Sequence, residues 1–312
     1  MKPELFSFLQ KNHIPFQKDR EMSTFTSFKI GGVAPVFIEP ENTGQLQALL
    51  EQINKLELQF RILGGGTNIL MSDHPDNLVF IRPDGDFKNH TETAEGVFRI
   101  GAGALTTPVF RNISKLGYTG AEFLSTIPGR VGGAVIQNAG CYGGELFNLV
   151  REVEYIDLTS GGLVSARPGE IEHGYRTTQF RERRNAIITS ITIELQKGNA
   201  EEIEASLKDK RDKRNSSQPE NKKSAGSVFK NPPGTDENGQ PLKSWQLIDQ
   251  AGLRGAAKGD AQISPVHCNF IVNNGKATAA DVHYLIQLAV EKVEQTSGII
   301  LEKEIEYFGD IP

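Results

Sequence analysis

The sequence predicts an α+β protein in two parts, and three observations carry this reading. From residue 30 to about 195, short β-rich runs alternate with glycine turns and occasional stretches of helical spacing. Over 200–215, charged residues in a helical pattern lead into a polar loop, "NSSQPENKKSAGS". Beyond that loop, a smaller unit contains one clear amphipathic helix and closes on a β-rich run, "IILEKEIEYF". The boundary between the two parts is expected near residue 200.

A chain of 312 residues is too long for one small core. With 38% hydrophobic and 23% charged residues it is globular in composition, and its one excess is 32 glycines without a three-residue period. Disorder and a collagen-like rod are excluded. A net charge of −5 and an isoelectric point near 5.8 remove the basic footprint that nucleic-acid binding needs, while leaving room for a local anion site. No apolar run approaches the roughly 20 residues that span a bilayer, and the opening "MKPELFSFLQKNHIPFQKDREM" lacks the unbroken apolar core of a signal peptide. The expectation is a cytoplasmic protein with no membrane partner. Cys141 and Cys268, outside any CxxC pattern, give neither a zinc site nor a disulfide framework and are read as buried thiols.

The elements follow in order. "APVFIEP" (34–40) reads as a strand, and Thr43 is expected to cap a helix carrying Leu46, Leu49, Leu50 and Ile53 at helical spacing. "FRIL" (60–63) is a strand that runs into Gly64, Gly65 and Gly66. "NLVFIRP", "GVFRIGAG", "EVEYIDL", "GLVSARP" and "NAIITSITIEL" supply further strands. In the smaller unit, "SWQLIDQAGL" and "NFIVNN" precede a helix in which Thr278 and Asp281 form a capping pair. Val282, Leu285, Ile286, Ala289, Val290 and Val293 share one face of it, a stripe that core packing explains.

Three glycine clusters ask for more than turn chemistry. "GAGALT" (101–106) follows a strand and imitates a dinucleotide fingerprint, but Thr106 replaces its third glycine, and a conventional Rossmann site is rejected. "LGGGTNIL" (63–70) has three bare residues followed by Thr67 and Asn68 as side-chain donors, a loop able to meet a diphosphate with backbone amides. "STIPGRVGGAVIQNAGCYGGEL" (125–146) packs six glycines into an otherwise apolar stretch. There Pro128 and Gly129 fix a turn, Gly132 and Gly133 permit close approach, and Gln137 and Asn138 are candidate donors to a polar cofactor edge.

In that order, "RILGGGTNIL", "IPGRVGGAVIQNAGCYGGEL", "GYRTTQF", "AGSVFKNP" and "LEKEIEYFG" resemble the UDP-N-acetylenolpyruvoylglucosamine reductases of bacterial peptidoglycan synthesis, also called UDP-N-acetylmuramate dehydrogenases; "TSFKIGG" (26–32) fits as well. The resemblance runs from about Thr26 to Gly309. It implies an α+β flavoprotein of the vanillyl-alcohol-oxidase type, with noncovalent FAD between two α+β subdomains (about 1–68 and 69–200). A smaller α+β substrate-binding domain (201–298) and a C-terminal strand (299–312) contributing to the active site would follow. Gly64, Gly65, Gly66, Thr67 and Asn68 would lie at the diphosphate. Ile127, Pro128, Gly129, Gly132, Gly133, Ala134, Gln137, Asn138 and Gly140 would run along the diphosphate and ring. NADPH is the implied co-substrate and UDP-N-acetylglucosamine enolpyruvate the implied substrate; a monomer is the default.

The reaction so implied delivers hydride to the terminal carbon of an enolpyruvyl ether, leaving negative charge on the adjacent carbon and its carboxylate. Arg176 in "HGYRTTQF" is expected to stabilise that charge through paired hydrogen bonds. Tyr175 would line the substrate or nicotinamide site, Thr178 keeps the hydroxyl of the serine usual in the family, and Arg181, Arg183 and Arg184 are expected to be solvated. Ser227 in "AGSVFKNP" matches the family's proton donor, with Gly226 allowing close approach and Lys230 and Asn231 placed to hold sugar or phosphate. In the closing run, strand alternation puts Leu301, Ile305 and Tyr307 on one face and Glu302, Glu304 and Glu306 on the other, without choosing among the glutamates. The "LExEI" resemblance selects Glu304, where burial would raise the carboxyl pKa for donation to the enol carboxylate. The six histidines show no metal-ligand spacing, His267 and Cys268 are expected on opposite faces of a strand, and no metal is expected. Two rivals are another FAD-dependent sugar or alcohol oxidoreductase of the same fold, separable by NADPH consumption, and a non-catalytic nucleotide-sugar-binding protein, separable by colour.

Overall fold

The computed structural model describes residues 1–75, 77–219 and 222–311. The chain forms two compact units, one comprising Met1–Lys18, Pro35–Gly65 and Asn77–Arg214, the other Asp19–Ala34, Gly66–Asp76 and Asn215–Pro312. The polar loop and the closing segment expected from the sequence reach into residues 220, 221 and 312, which lie outside the described residues.

Two sheets organise the first unit. One is four-stranded, in the order Phe16–Glu21, Val33–Ile38, Val79–Ile81 and Phe60–Ile62, with the last three mutually parallel. Parallel neighbours need a crossover, and the helix Thr43–Lys55 supplies it, burying Leu46, Leu49 and Ile53 against Val36, Ile38, Val79 and Ile81. Asn42, and not Thr43, caps this helix: its Oδ1 accepts from the Gln45 amide at 2.9 Å, which leaves Thr43 as the first helical residue. The second sheet is antiparallel, in the order Leu163–Ala166, Val150–Asp157, Ala186–Glu194, Val97–Gly101 and His90–Ala94. Its inner residues Phe98, Ile100, Val153, Ile191 and Ile193 share a core with the helices Thr106–Lys115 and Val131–Ile136. The charged helix is longer than the sequence suggests, Ala200–Ser217, and buries only Ile203.

In the second unit, three short antiparallel strands, Ala257–Lys258, Ala261–Ile263 and Ile271–Asn273, accompany the helix Ala279–Ser297. That helix starts on the expected capping box of Thr278 and Asp281 and stops at Gly298, whose φ of 71° is left-handed. Val282, Leu285, Ile286, Ala289 and Val293 are buried, whereas Val290 sits at the margin of that core. Each large aliphatic among them contributes about 1.5–3 kcal/mol relative to exposure. The closing run is no continuous strand. Only Glu306–Phe308 is paired, parallel to Ile69–Met71, and Lys303 makes an isolated bridge to Phe229.

Candidate active site

The clusters "LGGGTNIL" and "STIPGRVGGAVIQNAGCYGGEL" meet within the first unit, at Gly65 and Gly129. A Cβ on Gly65 would lie 2.5 Å from the Gly129 Cα and 3.2 Å from the Arg130 nitrogen, so the two loops touch backbone to backbone because Gly65 lacks a side chain. Gly129 also holds a left-handed φ of 120°. Beside this contact, a Cβ on Gly64 would meet only Gly133, at 3.9 Å, and one on Gly133 would meet nothing within 4 Å. Gly64 and Gly133 thus present bare backbone side by side toward open space, which is what an anionic cofactor approaching peptide N–H groups requires. Gly132 is different: its Cβ would press on the Ala102 Cβ at 3.0 Å.

The stretch rejected as a dinucleotide fingerprint turns out to be the shelf for this loop. The Thr106 amide donates to the Gly129 carbonyl at 3.0 Å, the Val131 amide to Ala104 at 3.0 Å and the Gly132 amide to Ala102 at 2.8 Å. Arg130 anchors the loop from below, with its guanidinium on the Pro83 carbonyl at 3.1 Å and 3.6 Å from Asp84. Burial, followed by repulsion from Arg82, lowers the Arg130 pKa. Ile127 contributes its carbonyl to Thr107 at 3.1 Å, and Ala134 is buried. Pro128 and Gln137 complete this segment.

Arg176 sits at the tip of a hairpin formed by His173–Gly174 and Thr177–Thr178, with a left-handed φ of 55°. Its guanidinium donates to the Gly140 carbonyl and lies 5.0 Å from the centroid of Tyr175, which is half exposed. The Thr178 hydroxyl donates to the Ile136 carbonyl at 2.7 Å. Arg181 corrects the expectation of a solvated cluster: it is half-buried and donates to the Arg176 carbonyl at 3.0 Å, while Arg183, exposed, pairs with Glu172 and Arg184 is exposed in a left-handed turn. Asn138 needs a second correction. It is fully buried, and its side chain donates to Glu145 and to the Gly174 carbonyl, each at 3.0 Å, and accepts from the Phe147 amide at 3.1 Å. Both amide hydrogens serve the protein, so the side chain offers no donor to a cofactor.

Three motifs distant in sequence come together in the second unit. Gly66, at φ 64°, would drive a Cβ to 1.9 Å from the Phe25 carbonyl oxygen, and Thr67 and Asn68 follow it. The Asn68 side chain donates to the Glu304 carbonyl at 3.1 Å, and its own carbonyl accepts from the Glu306 amide at 3.0 Å. The Glu304 amide in turn donates to Val228 at 2.8 Å, next to Ser227, which bridges Phe270. Gly226 beside it has a φ of 80°. Among the described residues the half-buried Ser227 hydroxyl has no hydrogen-bond partner. Environment sets one of the three glutamates apart: Glu302 is exposed and pairs with Lys230 at 2.5 Å, whereas Glu304 and Glu306 are both half-buried. Lys230 therefore already has its charge answered. Asn231 accepts from the Ser244 amide at 3.1 Å, at the start of the helix Ser244–Gln250.

His267 and Cys268 lie in a turn and not on a strand, and burial lowers the His267 pKa and raises that of Cys268. Cys141 is half-buried against Thr126 and the Phe123 carbonyl, and burial pushes its thiol up. Among the described residues no group of three or more His, Cys, Asp or Glu could hold a metal ion, and no helix is long and apolar enough to cross a membrane.

Comparison with known proteins gives consistent matches along the chain. Residues 218–308 match a family model described as UDP-N-acetylenolpyruvoylglucosamine reductase, C-terminal domain, and residues 34–167 one described as FAD binding domain. The UDP-N-acetylenolpyruvoylglucosamine reductase of Leptospira interrogans is 60% identical over 304 residues, 97% of this chain and 95% of that protein. Its counterpart in Anoxybacillus flavithermus is 35% identical over 301 residues, 96% and 97% of the two chains. A crystal structure of UDP-N-acetylenolpyruvylglucosamine reductase from Thermus caldophilus matches with a TM-score of 0.78 at 31% identity, covering 95% of this chain and 99% of that one.

Proposed function

The chain belongs to the UDP-N-acetylenolpyruvoylglucosamine reductase family, and from that premise we propose how its own residues divide the work. It is an FAD-dependent oxidoreductase of peptidoglycan precursor synthesis that uses NADPH to reduce the enolpyruvyl ether of UDP-N-acetylglucosamine to UDP-N-acetylmuramate. Its fold is the α+β flavin-binding fold expected from the sequence, extended by a smaller α+β domain. Bound FAD supplies the hydride-transfer chemistry. The polypeptide has to bind it, orient the acceptor, answer the charge that develops and deliver a proton.

In this reading residues 1–200 serve the cofactor, 201–298 the substrate, and 299–312 bring an acid to the reacting centre. Gly64, Gly65 and Gly66 with Thr67 and Asn68 hold the FAD diphosphate. The segment of Ile127, Pro128, Gly129, Gly132, Gly133, Ala134, Gln137, Asn138 and Gly140 follows the diphosphate and ring, Asn138 through its backbone alone. Arg176 stabilises the negative charge on the enolpyruvyl carboxylate, and the Gly140 carbonyl and Tyr175 ring restrict where its guanidinium points. Ser227 passes its hydroxyl proton to the carbon next to the carboxylate and is resupplied from water. Glu304, as a neutral acid, donates a hydrogen bond to the enol carboxylate, its backbone fixed by Val228 and Asn68. Tyr175, Lys230 and Asn231 contact the sugar nucleotide, Lys230 exchanging its exposed Glu302 partner for phosphate. The protein acts as a cytoplasmic monomer.

The observation that supports this most directly is the pair of touching glycine loops with open space where Gly133 and Gly64 lack side chains. The test is the visible spectrum of the purified protein. A flavin band that NADPH bleaches and UDP-N-acetylglucosamine enolpyruvate restores is the expected result. A colourless protein, or bleaching that the substrate does not reverse, overturns the proposal.

A further inference from the structure

Asn138 follows the short helix Val131–Ile136 in a left-handed conformation, φ 44°, with no exposed surface. Its two amide hydrogens reach the Gly174 carbonyl and a Glu145 carboxylate oxygen, and its oxygen receives the Phe147 amide. Gly174 immediately precedes Tyr175 and Arg176, and two residues beyond Asn138 the Gly140 carbonyl accepts the Arg176 guanidinium. One turn, 138–140, therefore grips the Arg176 hairpin at its backbone and again at the tip of its cation. The left-handed backbone suits Asn, whose short amide tolerates that region, and few other side chains both tolerate it and satisfy two acceptors and a donor at once.

We infer that Asn138 is the positioning residue of the reaction's cation, holding the hairpin so that Arg176 points along one direction. This rests on the assignment of charge stabilisation to Arg176. A side chain that merely filled the core would lower stability without distinguishing one half of the catalytic cycle from the other. A positioning residue affects the step that uses Arg176 and leaves the other step alone, since a shift near 1 Å in a catalytic group costs roughly 10²-fold.

The experiment uses Asn138→Ser and Asn138→Asp in the flavin-loaded enzyme, alone and combined with Arg176→Ala. Flavin content, the rate of bleaching by NADPH and the rate of recovery on adding substrate are measured for each. Expected are near-normal content and bleaching, recovery slowed by about 10²-fold, and no additional slowing in the Arg176→Ala background. The aspartate variant sets a carboxylate against the Gly174 carbonyl and Glu145; adding Glu145→Gln, which offers it a donor, is expected to restore part of the recovery rate. Equal losses with and without Arg176, or loss of flavin with normal recovery, overturn the inference while leaving the role of Arg176 intact. Normal recovery in Arg176→Ala alone removes the role of Arg176 and this inference with it.

Discussion

Two glycine-to-alanine substitutions, one in each of the paired loops, are expected to fail in opposite ways. In Gly65→Ala the new methyl would sit 2.5 Å from the Gly129 Cα and 3.0 Å from its carbonyl carbon, both rigid backbone. The loops must part by about 1 Å to reach ordinary contact, and overpacking of this kind costs about 1–3 kcal/mol. In Gly133→Ala the methyl meets nothing within 4 Å, and Gly133 is inside the helix Val131–Ile136, where alanine is favoured by about 0.8–1 kcal/mol. The apoprotein should therefore be as stable as the parent or slightly more so. The methyl would nevertheless occupy the space assigned to the cofactor and cost one hydrogen bond to a charged group, about 1.5–3 kcal/mol, or roughly 10- to 100-fold in FAD affinity. Thermal unfolding of FAD-free protein, followed by flavin titration, separates the cases. An apo Gly65→Ala protein as stable as the parent, or a Gly133→Ala protein with unaltered FAD affinity, would refute the reasoning.

Three further outcomes follow from particular side chains. Glu304→Gln should slow substrate-dependent recovery of the flavin band by about 10²–10⁴-fold and leave bleaching by NADPH unaltered; an unchanged pH–rate profile would count against its role as an acid. Thr278→Ala removes the capping box of the helix Ala279–Ser297 and should lower unfolding free energy by about 0.5–2 kcal/mol in denaturant titration, with the flavin spectrum unchanged. Burial depresses the His267 pKa, so the unfolded chain binds more protons than the native one; the stability from its neutral ring is complete above the ordinary imidazole value and declines as pH falls below about 6.5. His267→Gln should flatten that acid limb in pH-dependent unfolding, and an unaltered limb would show that the ring does not contribute.

The parts of this molecule that were legible in its sequence are those governed by local periodicity. The strands around Val36, Val153 and Ile191 and the stripe from Val282 to Val293 declare themselves because alternation or helical spacing places apolar residues on one side. Pairing across long separations is not local. Nothing in "QNAG" indicates that the Asn138 amide is satisfied by Gly174, 36 residues away, so its donors looked available for a ligand. Arg181 looked solvated inside "RERR" because the carbonyl that receives it belongs to the hairpin turn. The service of "GAGALT" as a shelf for Gly129 and Gly132 depends on backbone bonds that composition does not encode. The three glutamates of the closing run are equivalent by alternation, and the pairing of Glu302 with Lys230, 72 positions away, sets that one apart from Glu304 and Glu306.

The parallel pairing of Ile69–Met71 with Glu306–Phe308 bears on how the polypeptide acquires its shape during synthesis. The bond from Asn68 to Glu304 spans 236 positions, so at about 5–20 residues per second an apolar ribbon made early waits roughly 10–50 s on the ribosome for its mate. During that interval Leu70 is uncovered, and this nascent stretch is open to chaperone capture or to mispairing with another chain.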